Sequence, residues 1–214
     1  MRDGALNARG VRRRAEILEA ARAAFVADGY RGATMAAVAV RAGVTHAGLL
    51  YHFATKEDLL EAVLADESGR QTGLLDAAGS ADAAGSADAA DADPGRPDAL
   101  DRLHALVVRN EAEPEWARLF SMLLGEAVSP DHPVRARMAE RYDTVSAGLA
   151  ERLRALGGDV PAAERESIAR LLLAVMDGLQ YQSLTGSAVD VDREFGRMVD
   201  LVRARLGSDP PEVS

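Results

Sequence analysis

The chain contains no cysteine, and among its 214 residues there is a single lysine, Lys56. Without cysteine it can build neither a disulfide framework nor a thiolate metal site. Aromatic residues make up only 4% of it, so any core must be mainly aliphatic. No apolar run approaches the roughly 20 residues a membrane-spanning helix needs. The longest candidate, IARLLLAVMDGL, is interrupted by Asp177, so no membrane partner is expected. Runs of alternating β-branched residues are also missing, which argues against a sheet. There is no G-x-S-x-G elbow, no P-loop and no dinucleotide fingerprint following a strand. These absences point away from an enzyme, and neither a cofactor nor a metal is expected. The N-terminus starts basic but then alternates charged with apolar residues. It lacks the apolar block and cleavage-like end of a secretory signal, so a cytoplasmic location is expected.

What the chain does have is helical periodicity and an uneven charge. Hydrophobic residues reach 48% and charged residues 28%, the composition of a soluble globular protein. The formal net charge is −9. Residues 1–57 hold nine basic and five acidic side chains, while residues 58–214 hold sixteen basic and twenty-nine acidic ones. A basic head on an acidic body points to nucleic acid at one end. Apolar residues recur at intervals of three and four, as in Ile17, Leu18, Ala21 and Phe25, and again in Leu59, Leu60, Val63 and Leu64. The fold class expected is all-α.

Breakers divide the helices. DGYRG (28–32) ends a first one, Gly43 a second, and Phe53-Ala54-Thr55 separates a third from a fourth. The hexapeptide AAGSAD then occurs twice in succession within AAGSADAAGSADAADAD (77–93). Its side chains are too small to offset the entropy of ordering, so residues 76–97 are expected to be a flexible linker, with a helical extension as the competing reading. Further helices are expected over 97–111, 114–128, 131–156, 161–184 and 192–206. The domains expected are a helix-turn-helix head, 1–57, and a helical body, 58–214.

The head carries the most specific pattern, TMAAVAVRAGVTHAGLLYHF (34–53). Thr34 suits the N-cap of a short helix. Met35, Val38 and Ala42 share a face, and Ala39 is small where two helices must cross. Gly43 can take positive φ and turn the chain. Val44 packs under the turn, and Thr45 caps a second short helix whose buried residue is Leu49. This is the helix–turn–helix arrangement that presents its second helix to a major groove. Spacing alone leaves open an ordinary corner between two helices. The basic ARGVRRR (8–14), the glycine-aromatic corner and the lysine in TKEDLL narrow that choice.

Residues 10–65 resemble the DNA-binding head of the tetracycline-repressor (TetR) family. The resemblance is carried by Ile17, Leu18, Ala20, Ala21, Phe25, Gly29, Tyr30, Thr34, Val38, Ala39, Ala42, Gly43, Val44, Leu49, His52, Phe53, Lys56, Glu57, Leu59 and Leu60, in ungapped register. It implies a dimeric repressor. It also implies that Thr34 bonds a phosphate, and that Thr45, His46, Ala47 and Gly48 face the bases. Tyr51 and His52 then reach backbone or groove edge. Lys56, with the amides of its helix start, grips another phosphate, and Arg12, Arg13 and Arg14 follow an adjacent groove. The chain departs from the family at Gly48, where a small polar residue is common, and at Leu50, where tyrosine is.

In the body, residues 98–206 match the family's ligand domain in length and architecture only. Leu103, Val107, Trp116, Phe120, Met122, Leu123, Tyr142, Met176 and Gln180 are candidates to line an effector pocket. Leu171, Leu172, Val175, Gly178, Leu179, Phe195, Met198, Val199 and Val202 are candidates for a dimer seam in which the last two helices form a four-helix bundle with a partner. His46 and His52 are six apart, which is not metal-pair spacing on a helix, and DRLH (101–104) has no second copy to complete a di-iron set. The function expected is a ligand-responsive homodimeric repressor binding a palindromic duplex operator. Its partners would be double-stranded DNA, an unidentified small-molecule effector and a second copy of itself. A ligand-independent DNA-binding regulator, or a helical enzyme or adaptor with a non-functional head, are the alternatives.

Overall fold

A computed structural model describes residues 2–76, 97–156 and 159–207. Among them are nine helices and no strand: α1 (Arg2–Gly32), α2 (Met35–Arg41), α3 (His46–His52), α4 (Lys56–Asp76), α5 (Ala99–Ala112), α6 (Pro114–Ala127), α7 (Val134–Arg154), α8 (Ala162–Leu184) and α9 (Val191–Leu206). The all-α class holds, and the helix boundaries fall close to the expected ones. One difference is at the start. The basic ARGVRRR run does not precede the first helix but lies within α1. The expected linker falls almost wholly on residues 77–96, outside the described residues.

Local chemistry accounts for the boundaries. Gly29 has φ 69 and ψ 170 and kinks α1 shortly before its end. That region of backbone space is essentially closed to residues with a Cβ. A Cβ at Gly29 would also lie 3.3 Å from Glu126 Oε1 and 3.7 Å from Met122 Cε. Helix α4 opens with a reciprocal cap: Thr55 N–H donates to Asp58 Oδ2 at 3.0 Å, and Asp58 N–H donates to Thr55 Oγ1 at 3.0 Å. Helix α5 repeats the device, with Asp98 and Asp101 in a capping box. Helix α6 begins at Pro114, where a missing N–H costs nothing. Asp190 caps α9 by accepting from Arg193 N–H at 3.0 Å.

The chain forms two compact units, which interleave in sequence. The first comprises residues 1–70 and 118–137, the second 71–117 and 138–214. The boundary expected after residue 57 therefore differs from the structure. α4 stays with the head through Arg70, and the end of α6 and the start of α7 join it. Buried side chains explain this. Leu59, Leu60, Val63 and Leu64 of α4, with Leu119, Phe120 and Leu123 of α6, are as deeply buried as Ile17, Phe25, Val38 and Leu49. Glu67 of α4 is only 1% exposed and lies 3.3 Å from Arg70 Nε and 3.8 Å from Arg22 Nη1, which ties α4 to α1 by charge as well.

The second unit is organised around one aliphatic cluster. It contains Leu100, Leu103, Leu106 and Val107 of α5, Leu149 and Leu153 of α7, Ile168, Leu172 and Leu173 of α8, and Phe195, Val199 and Val202 of α9. This corrects part of the expected dimer seam. Leu172, Phe195, Val199 and Val202 are at most 5% exposed in the protomer itself, so they face its own core. Leu171, by contrast, is 53% exposed. Val175, Gly178, Leu179 and Met198 are half-buried.

Replacing Gly29 by Ala should destabilise the protein by about 1–3 kcal/mol, because the backbone conformation and the Glu126 side chain both oppose a Cβ. Gly69 lies inside α4 with nothing near its missing Cβ. Gly69→Ala should therefore stabilise by about 0.4–1 kcal/mol. Urea denaturation of both variants checks the pair; equal effects would contradict the assignment of strain to the corner.

Candidate nucleic-acid interface

Helices α2 and α3 are too short to persist alone, and their ends are fixed by side-chain caps. Thr34 Oγ1 accepts from Ala37 N–H at 3.1 Å, and Thr45 Oγ1 accepts from Gly48 N–H at 3.0 Å. Between the helices Gly43 takes φ 65, and Val44 N–H bonds Ala39 O at 3.0 Å across the turn. Val38, Ala39 and Leu49 are buried at 1%, 2% and 0% exposure. One side of each helix is thus committed to the core. The other side of α3 presents His46, Ala47, Leu50 and Tyr51 to solvent. Tyr51 is 87% exposed, and its ring meets His52 edge-on at 5.4 Å. The Tyr51 side chain thus stands on the outer side of a helix whose other side is anchored by Leu49.

Gly48 has a structural reason. A Cβ there would lie 3.1 Å from Thr45 Oγ1, crowding the cap that starts α3. The departure from the family pattern at this position therefore gives up a base-reading side chain and leaves room for the cap. Val40 of α2 is 82% exposed, a bare apolar side chain that the sequence does not announce. A valine can pack on a thymine methyl.

The cations divide by their partners. Arg12 and Arg13 are exposed on α1 and share Glu16, at 3.6 and 2.8 Å. Exposed pairs of this kind contribute at most about 1 kcal/mol, so both guanidiniums can be exchanged onto phosphates. Arg14 packs over the Phe53 ring at 5.2 Å, joining α1 to the end of α3. Arg31 and Arg41 are exposed, and neither forms an ion pair among the described residues. Arg41 lines a shallow groove with Glu16 and Glu19 of α1.

Lys56 departs from expectation. Its Nζ donates to Tyr30 O at 2.9 Å, Ala33 O at 3.0 Å and Arg31 O at 3.4 Å, and sits 4.5 Å from the Tyr30 ring centroid. An ammonium has three donors, and all three point at the carbonyls that end α1. The lysine expected to hold a phosphate is therefore turned inward in this structure. The start of α4 is equally committed. Asp58 and Thr55 cap it, and the Glu57 carboxylate is held below its ordinary pKa by its own backbone N–H and by the Tyr30 hydroxyl. A phosphate there would meet two carboxylates.

Tyr30 is the residue around which these groups assemble. It is 3% exposed. Its hydroxyl donates to Glu57 Oε1 at 2.9 Å, and its N–H donates to Glu126 Oε1 at 3.2 Å. Burial, then Glu57, pushes the phenol well above its usual pKa. Its ring also meets His132 edge-on at 5.6 Å. His132 Nδ1 accepts from Val134 N–H at 3.2 Å, which leaves the proton on Nε2, 2.9 Å from Glu126 Oε2. Glu126 and His132 are not expected at this corner from sequence, since nothing in their spacing links them to Tyr30.

Comparison with known proteins agrees with this geometry. Residues 17–63 match the family model for bacterial regulatory proteins, tetR family. The chain is 28% identical over 200 residues to the HTH-type transcriptional repressor AcnR of Corynebacterium efficiens, covering 92% of this chain and 93% of that protein. The helix-turn-helix head is that of the TetR family of transcriptional regulators. Among solved structures, a TetR-family regulator from Rhodococcus sp. superposes with TM-score 0.68 at 21% identity, covering 91% of this chain and 98% of that one. GusR of Salmonella enterica superposes with TM-score 0.64 at 22% identity, covering 91% and 93%. Both share its fold.

The residues expected to line an effector pocket do not all come together. Leu103 and Val107 lie in the core of the second unit, with Tyr142 and Met176 packed against it. Trp116, 5% exposed, carries the Arg141 guanidinium 5.6 Å from its ring centroid. Gln180 is 7% exposed on α8. Phe120, Met122 and Leu123, however, belong to the first unit, and Met122 Cε lies near Gly29 at the corner. An expectation based on size and helical spacing could not separate the two cores that α6 serves. Asp177 lies outside the expected set, yet it accepts a hydrogen bond from the Tyr142 hydroxyl.

Two classes of variant should behave differently in duplex binding. Arg12→Ala with Arg13→Ala should weaken binding to every sequence and reduce the slope of log affinity against log salt by about 0.9 for each phosphate that is no longer neutralised. Lys56→Ala should leave that slope unchanged and lower stability by about 1–3 kcal/mol. A reduced salt slope in the lysine variant, with stability intact, would return Lys56 to the phosphates.

Proposed function

We propose that this TetR-family regulator is a homodimeric, ligand-responsive repressor whose two α3 helices occupy successive major grooves of an approximately palindromic operator. The observation that carries the reading is the two-sidedness of α3. Leu49 is fully buried, while His46, Ala47, Leu50 and Tyr51 stand outward from a helix fixed at its start by Thr45. Thr45, His46 and Tyr51 read base edges, Thr34 and the Arg12–Arg13 pair hold phosphates, and His52 supports Tyr51. The protein's net charge of −9 does not oppose this, because counterion release depends on local charges. It discourages wrapping of unspecific DNA. Among the described residues no helix is long and apolar enough to cross a membrane.

Dimerisation rests on the outer face of α8 and α9. On α8, Ser167, Leu171, Ala174 and Tyr181 are exposed and Gly178 is half-buried. The spacing is four, three, four, three, the repeat of a helix seam. On α9, Arg197, Leu201 and Ala204 continue the pattern, with Leu201 69% exposed. Ala174 and Gly178 are small where two helices would cross. A second copy covers these positions in place of the deeper residues expected from sequence. An effector in the body would alter the distance between the two α3 helices, which must stay about 34 Å apart to fit one turn of duplex.

The test is a mobility shift on the DNA upstream of the protein's own gene, with Leu171→Arg and Tyr51→Ala beside the wild type. The wild type is expected to sediment as a dimer and retard this DNA. Leu171→Arg should sediment as a monomer and lose the complex. Tyr51→Ala should remain dimeric and lose about 1–3 kcal/mol of discrimination between operator and unrelated DNA. A dimeric Leu171→Arg variant would refute the seam, and equal retardation of all DNA by wild type would refute operator recognition.

A further inference from the structure

Helix α8 carries Asp177 and Gln180 in its apolar part, and the protein's own packing satisfies them incompletely. Gln180 is 7% exposed, and its Nε2 has no hydrogen-bond partner among the described residues. Buried amide donors are almost always satisfied, so an orphan calls for an explanation. Asp177 stands three residues earlier, on the neighbouring position of the same helix side. The Tyr142 hydroxyl donates to its Oδ2, filling one of about four acceptor positions on the carboxylate. Burial raises the Asp177 carboxyl above its ordinary pKa, against the opposing effects of the Tyr142 hydrogen bond and Arg141.

Arg141 is the nearby cation, and it is engaged elsewhere. Its Nη2 donates to Gln71 Oε1 at 2.8 Å, and its guanidinium covers the Trp116 ring. Side chains from α4, α6, α7 and α8 thus meet in one polar cluster of the second unit, beside the aliphatic core that Tyr142 and Met176 flank. The cluster has acceptor capacity in excess at Asp177, and Gln180, three residues along the same helix, adds an unmet donor. A carboxylic-acid ligand would set its charge against Asp177 in a poorly screened place. A neutral, wholly apolar one would leave both groups unmet. A cation with a nearby acceptor satisfies both.

We propose that Asp177 and Gln180 form the polar end of the effector site, and that the effector is an apolar organic amine. Its ammonium donates to the Asp177 carboxylate. A hydroxyl, ether or carbonyl oxygen within about 5–6 Å of the nitrogen, the distance between neighbouring side chains on a helix, accepts from Gln180 Nε2. The remainder packs against Met176 and the aliphatic cluster. This inference rests on the ligand-responsive reading above and names the chemistry of that site. It also accounts for a half-buried carboxylate that the ligand-free fold would be better without: the carboxylate is retained for the complex.

The probes are phenoxyalkylamines with two to four methylenes, their uncharged N-acetyl derivatives, phenoxyalkanoates of matched length, and phenylalkylamines that lack the ether oxygen. Each is titrated into the full-length protein by calorimetry, and melting temperature is recorded alongside. The phenoxyalkylamines are expected to bind and raise the melting temperature, while the acetylated and carboxylate series do not. Asp177→Asn should bind them at least tenfold more weakly. It should also melt higher than wild type when ligand-free. That gain should be absent at acidic pH and appear as pH rises above the ordinary carboxylate range, where wild type must ionise a buried group. Gln180→Leu should lose about tenfold for the phenoxyalkylamines and nothing for the phenylalkylamines. Binding by the carboxylate or acetylated series alone, or undiminished amine binding by Asp177→Asn, overturns the amine assignment and leaves ligand responsiveness standing. A ligand-free Asp177→Asn that melts lower than wild type makes the carboxylate structural and overturns the assignment too. No binding in any series counts against the ligand-responsive reading itself.

Discussion

The geometry of the head depends on one corner of the chain, Gly29–Tyr30. Glycine is needed because the backbone there takes a conformation that a Cβ forbids and because Glu126 stands close to the place a Cβ would fill. The kink delivers Tyr30 into the core, where its ring, hydroxyl and N–H are all used at once. Lys56 then caps the carbonyls that α1 leaves unsatisfied just beyond the kink. These interactions hold the start of α4, the end of α1, and the junction of α6 and α7 in one compact unit. Helices α2 and α3 hang between fixed ends, and their own caps need only set direction.

The consequence is a division of labour among polar groups. Interactions that hold the head together converge on shared groups: Tyr30 bonds Glu57 and Glu126, Lys56 bonds three carbonyls, and Glu67 forms ion pairs with Arg22 and Arg70. Interactions at the outer surface are weak and exchangeable, such as Arg12 and Arg13 with Glu16. A surface that must trade protein partners for DNA is well served by pairs worth little, because releasing them hardly penalises binding. On α8 of the body, Asp177 accepts from the Tyr142 hydroxyl, and Gln180 Nε2 has no hydrogen-bond partner among the described residues.

Much of this is legible in the sequence. Caps and turns are short-range features, so Thr34, Gly43, Thr45 and Leu49 can be assigned from neighbours alone, and the later helices fall close to their expected ranges. Packing between distant segments is not legible. Lys56 resembles a phosphate ligand because its charge is visible in the sequence and the three carbonyls around it are not. Helical spacing says that one face of α9 is apolar but not whether that face meets the protomer's own core or a partner. Phe195, Val199 and Val202 meet the core. Phe120, Met122 and Leu123 group with the body only if α6 is treated as one object, whereas its two ends serve different cores. The sequence shows that Asp177 interrupts an apolar helix, but a lone acid there can equally be solvated, and only the Tyr142 hydroxyl shows that it faces inward.

The account's central claim is that α3 enters the major groove as one of a symmetric pair. Hydroxyl-radical footprinting of the protein on its own upstream DNA tests that claim most directly. The account predicts two equivalent protected patches whose centres lie about 10–10.5 base pairs apart, or a whole multiple of that, on one face of the duplex. A single unpaired patch, or two patches on opposite faces of the helix, would contradict it.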